Sequence, residues 1–513
     1  MKSAFGGMGE RLVKFLIFML FIGLLKHVAD HIVRVCLEDE LKDFGLYEFD
    51  YADFVLRHII NFFAVMMLEP IASRIASDEA IGQKKVVATR IRIAHVISFY
   101  GSIIAAAAVV LLQFAGHMEV VPKELFSPLK HKRFCDADSP YMCLWVHLLI
   151  RFFALPFRVV VVACAFPVFL GIHRVDLILW VFSIQSVLWV AGVLLSLYVF
   201  KIGLLGVAVS DLIASVAAYY MYKRALRSHR LKAALAEITS QDKENCSPPC
   251  RFCFFWCRGD DHLYNEVRSE MWEDSLVMGL RACILLFIDA TVTLIFDADS
   301  EKWKWTVNSA FEVIRRLRNI PGVCGRALGC SIIVVACKYL NEIYRVYNPY
   351  DFQTLAEKLP TAGFFMGLLA SVISILLAPY MLGEELADAA GMTSWLGMIL
   401  FLATETTTIV LKVYESLLFA SLDFRFLLNA TIVSSIPFIL CVGAAFYEFH
   451  YSPFLWASLW TFSALRLFMT RRRILTVILP RLTEEASTID EFDQLLRDDG
   501  DDEDALLLQT MRY

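Results

Sequence analysis

Charged side chains are scarce: Asp, Glu, Lys and Arg make up 20% of the 513 residues, against about a quarter in soluble domains. The net charge of −5 sits mainly in one tail and a few loops and carries no signal for nucleic acid, and no nucleic acid is expected as a partner. The sequence has no G-x-x-x-x-G-K-[ST] stretch, which excludes pumping driven by a P-loop ATPase. A histidine set beside an acid in an apolar run is equally rare: His27 with Asp30 is the near candidate. This leaves little ground for a membrane-embedded acyltransferase, and no enzyme is expected. The N-terminal apolar stretch lacks a small-residue cleavage site, and it contains Lys26, His27 and Asp30. It reads as a first retained span rather than a signal peptide.

What is abundant is apolar sequence: 58% of the residues, with a mean hydropathy of +0.58. Apolar runs long enough to span a bilayer, about 20 residues each, recur from Phe15 to Leu467. In lipid every backbone polar group must be satisfied internally, so such runs become helices. Forty Phe and ten Trp suit a lipid-facing surface and interfacial belts. Twelve spans are predicted, near 13–33, 53–75, 91–115, 143–170, 177–200, 203–222, 274–296, 306–336, 360–382, 393–420, 426–447 and 452–470. The fold class is an all-α polytopic membrane protein of twelve transmembrane helices in two pseudo-symmetric six-helix lobes.

The cations give the orientation. Lys84, Lys85, Arg90 and Arg92 lie between spans two and three; Lys223, Arg224, Arg227, Arg230 and Lys232 follow span six; Arg471, Arg472 and Arg473 follow span twelve. All fall on one side, which the positive-inside rule makes cytoplasmic, with both termini. One outward loop, with Lys123, Lys130, Lys132 and Arg133, runs against the trend. The predicted organisation is an N-terminal lobe over 1–222, a polar cytoplasmic connector over 223–273, a C-terminal lobe over 274–470 and an acidic, largely disordered tail over 471–513. The even division suggests a repeat. Asp30 in span one aligns with Asp289 in span seven, each after largely apolar helix and each followed eight residues later by an acid, Glu38 or Asp297.

Ionisable groups at membrane depth cost on the order of 2.5–3.5 kcal/mol, so they mark function or structural pairing. Asp30 and Asp289 are the candidate ion-coupling acids, since a carboxyl poised between desolvation and a nearby cation can bind and release a proton or Na⁺. For Asp30 a surface pair with Lys26, one turn away, is the equal alternative. Span ten carries Glu405, Thr408, Lys412 and Glu415, and Glu405 and Lys412 share a helical face. They are candidates for a substrate cavity or for a structural ion pair. Arg158 in span four, seven residues after Arg151, is read as a cavity residue. Glu312, Arg315, Arg316, Arg318 and Arg326 of span eight are read as interfacial, with an anion-binding interior as the alternative.

Cys246, Cys250, Cys253 and Cys257 in the connector suit palmitoylation beside Phe252, Phe254, Phe255 and Trp256, zinc binding, or no special role. Cys135 and Cys143 face outward and are placed for a disulfide. The tail contains Glu491-Phe-Asp-Gln-Leu495-Leu496 and Glu503-Asp-Ala-Leu-Leu507-Leu508, which resemble acidic dileucine signals read by sorting adaptors.

Three stretches carry a family resemblance: Gly203-Leu-Leu-Gly206-Val-Ala-Val-Ser-Asp-Leu-Ile opening span six, Gly279 ten residues before Asp289, and Tyr414-Glu415-Ser-Leu-Leu-Phe-Ala-Ser-Leu-Asp423-Phe-Arg-Phe-Leu closing span ten. With the six-plus-six layout they resemble the multidrug and toxic compound extrusion (MATE) family, of the superfamily that includes lipid-linked oligosaccharide flippases. The resemblance implies a monomeric antiporter that exports a small organic solute by alternating access, coupled to H⁺ or Na⁺ at Asp289 and Asp30, with no other cofactor. The membrane implied is plasma, endosomal or vacuolar. Span five, Trp189-Val-Ala-Gly-Val-Leu-Leu-Ser196, lacks the acid the family often has there, and the arginines of span eight are a second departure. A flippase or exporter of an anionic or lipid-linked solute is the alternative within the superfamily. A major facilitator is disfavoured, because Ser77-Asp-Glu-Ala-Ile-Gly-Gln-Lys-Lys85 does not fit that group's loop between spans two and three.

Overall fold

Apolar runs of this length become helices longer than the runs themselves, because the helix continues into polar ends that water can reach. The computed structural model describes residues 2–40, 43–117, 144–228, 262–298, 307–340, 349–382, 391–392, 394–448, 452–482 and 484. The N-terminal helices are α1 (Lys2–Glu40), α2 (Asp43–Ile81), α3 (Lys84–His117), α4 (Leu144–Val160, continued by a π-helical turn, Val161–Ala165, into Phe166–Gly171), α5 (Val175–Leu194, ending in the π turn Leu195–Val199) and α6 (Leu204–Ser228). The C-terminal helices are α7 (His262–Ala298), α8 (Val307–Tyr339), α9 (Pro349–Leu382), α10 (Trp395–Ala420), α11 (Phe424–Glu448) and α12 (Ser452–Arg473, continued by the π turn Ile474–Ile478 into helix over 479–482).

Eleven of these helices are long and apolar enough to cross a membrane. The twelfth, α12, is more polar because its inner face carries Arg466 and ends in Arg471–Arg473, while Trp456 is fully buried with its ring centroid 5.0 Å from that of Phe401. No strand occurs among the described residues. The 39 residues of α1 make a rod of about 58 Å, nearly twice the hydrocarbon core of a bilayer. Hydropathy marks only the middle of such a rod, so the helices overrun the predicted spans: α1 reaches residue 40 rather than 33, and α7 begins at His262 rather than 274.

The packing order repeats between the halves. In the first half α1 packs on α5, α2 on α3 and α4, α3 on α4, and α6 on α4 and α5. In the second half α7 packs on α11, α8 on α9 and α10, α9 on α10, and α12 on α10 and α11. Adding six to each number converts the first set into the second. The two largest contacts between halves obey the same operation, since α1 packs on α8 while α2 packs on α7; the packing of α3 on α7 has no counterpart of like size.

Two close approaches set this interface. On α1 a Cβ at Gly23 would lie 2.5 Å from Val323 Cγ1 of α8, so only glycine permits this crossing without a shift. One turn along, His27 Nδ1 hydrogen-bonds the Asn319 side chain. At the end of the bundle where α2 turns into α3 through Gly82 (φ +78°), ion pairs join the halves. Arg74 of α2 donates to Asp274 of α7 at 2.9 Å, and Arg90 of α3 donates to Asp78 at 2.5 Å and to Glu270 of α7 at 2.8 Å.

Candidate functional site

A charge buried in this apolar scaffold must be paired, so the buried ions assemble into chains that run between helices. In the N-terminal half the chain begins at Asp30 of α1. Its Oδ2 lies 3.5 Å from Arg57 Nη2 of α2, and Arg57 also pairs with Asp53 one turn before it. Arg151 of α4 reaches Asp53 at 3.1 Å and Asp211 of α6 at 3.3 Å. Arg158, two turns further on the same face of α4, closes on Asp211 at 3.2 Å. The seven-residue spacing of the two arginines points both toward α6, and Arg151 is only 1% exposed.

Beside this chain lies a small, partly open cavity, with Lys26, Asp30, Arg158, Gln185, Trp189 and Asp211 in its wall. The Arg158 guanidinium stands 5.7 Å from the centroid of the Trp189 ring.

The C-terminal half holds two clusters. In the first, Arg318 of α8 donates from Nε to Glu405 of α10 at 2.7 Å, and its Nη1 lies 3.8 Å from Asp289 of α7. Glu405 is buried, whereas the Asp289 side chain is 39% exposed. One guanidinium thus serves two acids in different environments. The second cluster surrounds Glu415 of α10, which accepts from Arg281 of α7 at 2.6 Å and from Arg466 of α12, with Lys412 Nζ at 3.2 Å. Glu69 of α2 enters from the other half, 3.5 Å from Lys412 and 3.8 Å from Arg281. The Thr408 hydroxyl donates to the Thr404 carbonyl at 2.8 Å and shares a 3.2 Å bond with Ser463.

The structure therefore gathers Asp30 and Arg158 at one cavity, Asp289 and Glu405 on one arginine, and Lys412 and Glu415 in one cluster, with Thr408 bonded to α12. It does not pair Asp30 with Lys26: the acid's ion pair is with Arg57. Nor do Glu405 and Lys412, which share a helical face, share a partner. Arg318, expected at the headgroups, turns inward because the buried Glu405 carboxylate requires a counter-ion. Asp53, Arg57, Glu69, Asp211, Arg281 and Arg466 are not among the residues the sequence marks, although Glu69, Asp211, Arg281 and Arg466 are ionisable residues inside apolar runs, the same signal that marks Asp289.

Among the described residues no group of three or more His, Cys, Asp or Glu is placed to hold a metal ion. The Cys246, Cys250, Cys253 and Cys257 cluster, Cys135, Cys143 and the Leu495–Leu496 and Leu507–Leu508 signals lie outside the described residues.

No protein-family model matches the sequence, and a search of curated proteins finds no match. Solved structures do. The Vibrio cholerae MATE transporter VcmN, in a mutant form, superposes with a TM-score of 0.68 at 12% identity, over 93% of this chain and 99% of that one. The eukaryotic MATE transporter AtDTX14 gives 0.68 at 11%, over 94% and 99%. A MOP-superfamily transporter from Pyrococcus furiosus, whose binding pocket is described as of reverse polarity, gives 0.63 at 10%, over 94% and 98%. At these identities the likeness is one of fold: the chain has the MATE transporter fold along nearly its whole length.

Proposed function

We propose that this chain is a secondary active transporter, which carries a small organic solute across a membrane by alternating access between its two lobes, coupled to H⁺ or Na⁺ at Asp289. The observation that carries this reading is the sharing of Arg318 between buried Glu405 and half-exposed Asp289. A proton or Na⁺ arriving at Asp289 cancels its charge and leaves Arg318 to Glu405 alone. The pull of α8 on α7 is thereby weakened. A ligand biases a two-state equilibrium only through its different affinity for the two states, and a salt bridge that competes with the ion supplies such a difference.

The contact of α2 and α3 with α7 supports the same reading. One end is latched by Arg74, Asp78, Arg90, Glu270 and Asp274. By the cation distribution that end is cytoplasmic, which makes these pairs the contacts to be broken when the transporter opens inward. Asp30 is less suited than Asp289 to receive a mobile cation. Its charge is met by Arg57, and Lys26 and Arg158 stand in the same cavity wall and repel a further positive ion.

The test is uptake into reconstituted vesicles with imposed proton or sodium gradients, using cationic and anionic solute panels. Asp289→Asn should abolish gradient-driven transport while leaving expression and targeting intact. Full transport by that variant removes Asp289 from the mechanism.

A further inference from the structure

The wall of the cavity between α1, α4, α5 and α6 holds two cations and two acids, Lys26 and Arg158 with Asp30 and Asp211, and the ions paired to them add one more positive charge than negative. Its connected ions are Lys26, Arg57, Arg151 and Arg158 against Asp30, Asp53 and Asp211. Each of the three acids is engaged by at least one guanidinium. Lys26 has no such partner: its side chain is exposed in the wall, with Asp30 as its attractive neighbour and the like charges of Arg158, Arg57 and Arg326 within electrostatic reach. Arg326, on the facing helix α8, is also exposed. Its Nε donates to the Gly322 carbonyl of its own helix, at 3.2 Å, and Arg57 repels it. Two cations placed at membrane depth without a carboxylate each are an expensive arrangement unless something anionic visits them.

Two polar atoms of the wall point to the same conclusion. Trp189 is only 7% exposed, and its indole Nε1–H is buried with no hydrogen-bond partner in the protein. Indole is a donor and never an acceptor, so the group suited to it is an oxygen carrying a lone pair. Asp30 Oδ1, also buried, has no partner either, and as an acceptor it suits a hydroxyl of the same guest. Burial of unmet polar groups costs about 1–3 kcal/mol apiece, a penalty that a bound solute removes.

We propose that this cavity binds an organic anion bearing a carboxylate or phosphate, with Lys26 and the Trp189 indole N–H of its wall as the anion-recognising groups, Arg326 of α8 as a neighbouring cation that adds to the field, and Asp30 Oδ1 as acceptor for a hydroxyl on the same molecule. The role of that anion as transported cargo rests on the transporter reading above; its binding does not. Arg158 and Arg57 shape the positive field but are already committed to Asp211, Asp53 and Asp30, so they position the site rather than hold the ligand.

The experiment uses the full chain purified in detergent, with binding measured by calorimetry and by ligand-induced thermal stabilisation. The probes are mandelate (an aromatic hydroxycarboxylate), phenyl phosphate, dihexanoyl phosphatidic acid and the cation tetraphenylphosphonium. Mandelate or phenyl phosphate should bind in preference to tetraphenylphosphonium. Lys26→Gln and Trp189→Phe should each weaken that binding roughly tenfold, the loss of one charge-assisted or buried hydrogen bond, and Arg326→Gln should weaken it less. None of the three breaks an ion pair, so melting temperatures near that of the parent should accompany the loss. Phosphatidic acid binding through the same residues, with the soluble anions inactive, identifies the source of the anionic group as a lipid headgroup. Preference for the cation, or anion binding indifferent to all three substitutions, overturns the proposal. Gradient-driven transport of cations with no anion binding refutes the anion site and leaves the transporter standing. Anion binding without transport of any probe under either gradient does the reverse.

Discussion

The two lobes place charge on equivalent helices but with opposite sign. In the N-terminal lobe α4 supplies the cations Arg151 and Arg158 and α6 the acid Asp211. In the C-terminal lobe α10 supplies the acids Glu405 and Glu415, and α12 supplies the cation Arg466. The helices at the lobe interface keep one polarity. Asp30 of α1 faces Arg57 of α2 at 3.5 Å, and Asp289 of α7 faces Arg318 of α8 at 3.8 Å. The comparison teaches that this packing needs a neutralised pair between the fourth and sixth helices of each lobe, whichever way the charges lie. The sign is then free to serve the solute.

If neutralisation is the structural requirement, removing the shared acid should cost the same in both lobes. Glu415→Gln leaves Arg281, Arg466 and Lys412 around an uncharged amide, and Asp211→Asn does so for Arg151 and Arg158. Breaking a buried pair from one side costs about 3–5 kcal/mol. Each variant should therefore lose that much in unfolding experiments in detergent, or fail to accumulate. A severe loss in one lobe with indifference in the other would break the comparison.

How far these pairs can be read from sequence follows from their separation along the chain. Span positions and the six-plus-six division are legible because apolar runs are local. The Asp30 and Asp289 correspondence is legible because each acid interrupts such a run. Partners are not local: Arg281 meets Glu415 across 134 residues and Arg318 meets Glu405 across 87. Periodicity ranks faces on one helix and says nothing about which face of another helix opposes them. Asp53 and Arg57 escape notice because a span beginning near 53 makes them look terminal, whereas α2 begins at Asp43 and carries both inside. The indole of Trp189 gave no signal at all, since a Trp in an apolar helix is ordinary until its N–H is found without a partner.

A finer contrast lies within the first C-terminal cluster. Glu405 and Asp289 share Arg318, yet one is buried and the other 39% exposed. Glu405→Gln should destabilise by about 3 kcal/mol or more. Asp289→Asn should change stability by under about 1 kcal/mol, as expected for a partly solvated pair, while removing gradient-driven transport. Stability measured beside vesicle uptake sharpens the comparison: a structural acid loses both together, and a coupling acid loses only transport.

The smallest effects belong to the two interface glycines. Gly23 of α1 lies against Val323 of α8, and Gly279 of α7 lies against Met66 and Phe62 of α2. A Cβ at Gly23 meets Val323 Cγ1 at 2.5 Å, so Gly23→Ala must push a β-branched side chain that has little rotameric freedom. Overpacking of this kind costs about 1–3 kcal/mol, set against about 1 kcal/mol regained from helix propensity. A Cβ at Gly279 meets Met66 Sδ at 3.5 Å, an ordinary contact with a flexible chain. Gly279→Ala should therefore be neutral or stabilising by about 0.5–1 kcal/mol. Val323→Ala should rescue Gly23→Ala in a double-mutant cycle. Equal behaviour of the two alanine variants would mean that the α1–α8 and α2–α7 crossings are interchangeable. A selective loss at Gly23, relieved by trimming Val323, would locate the tighter of the two pivots between the lobes at the α1–α8 crossing.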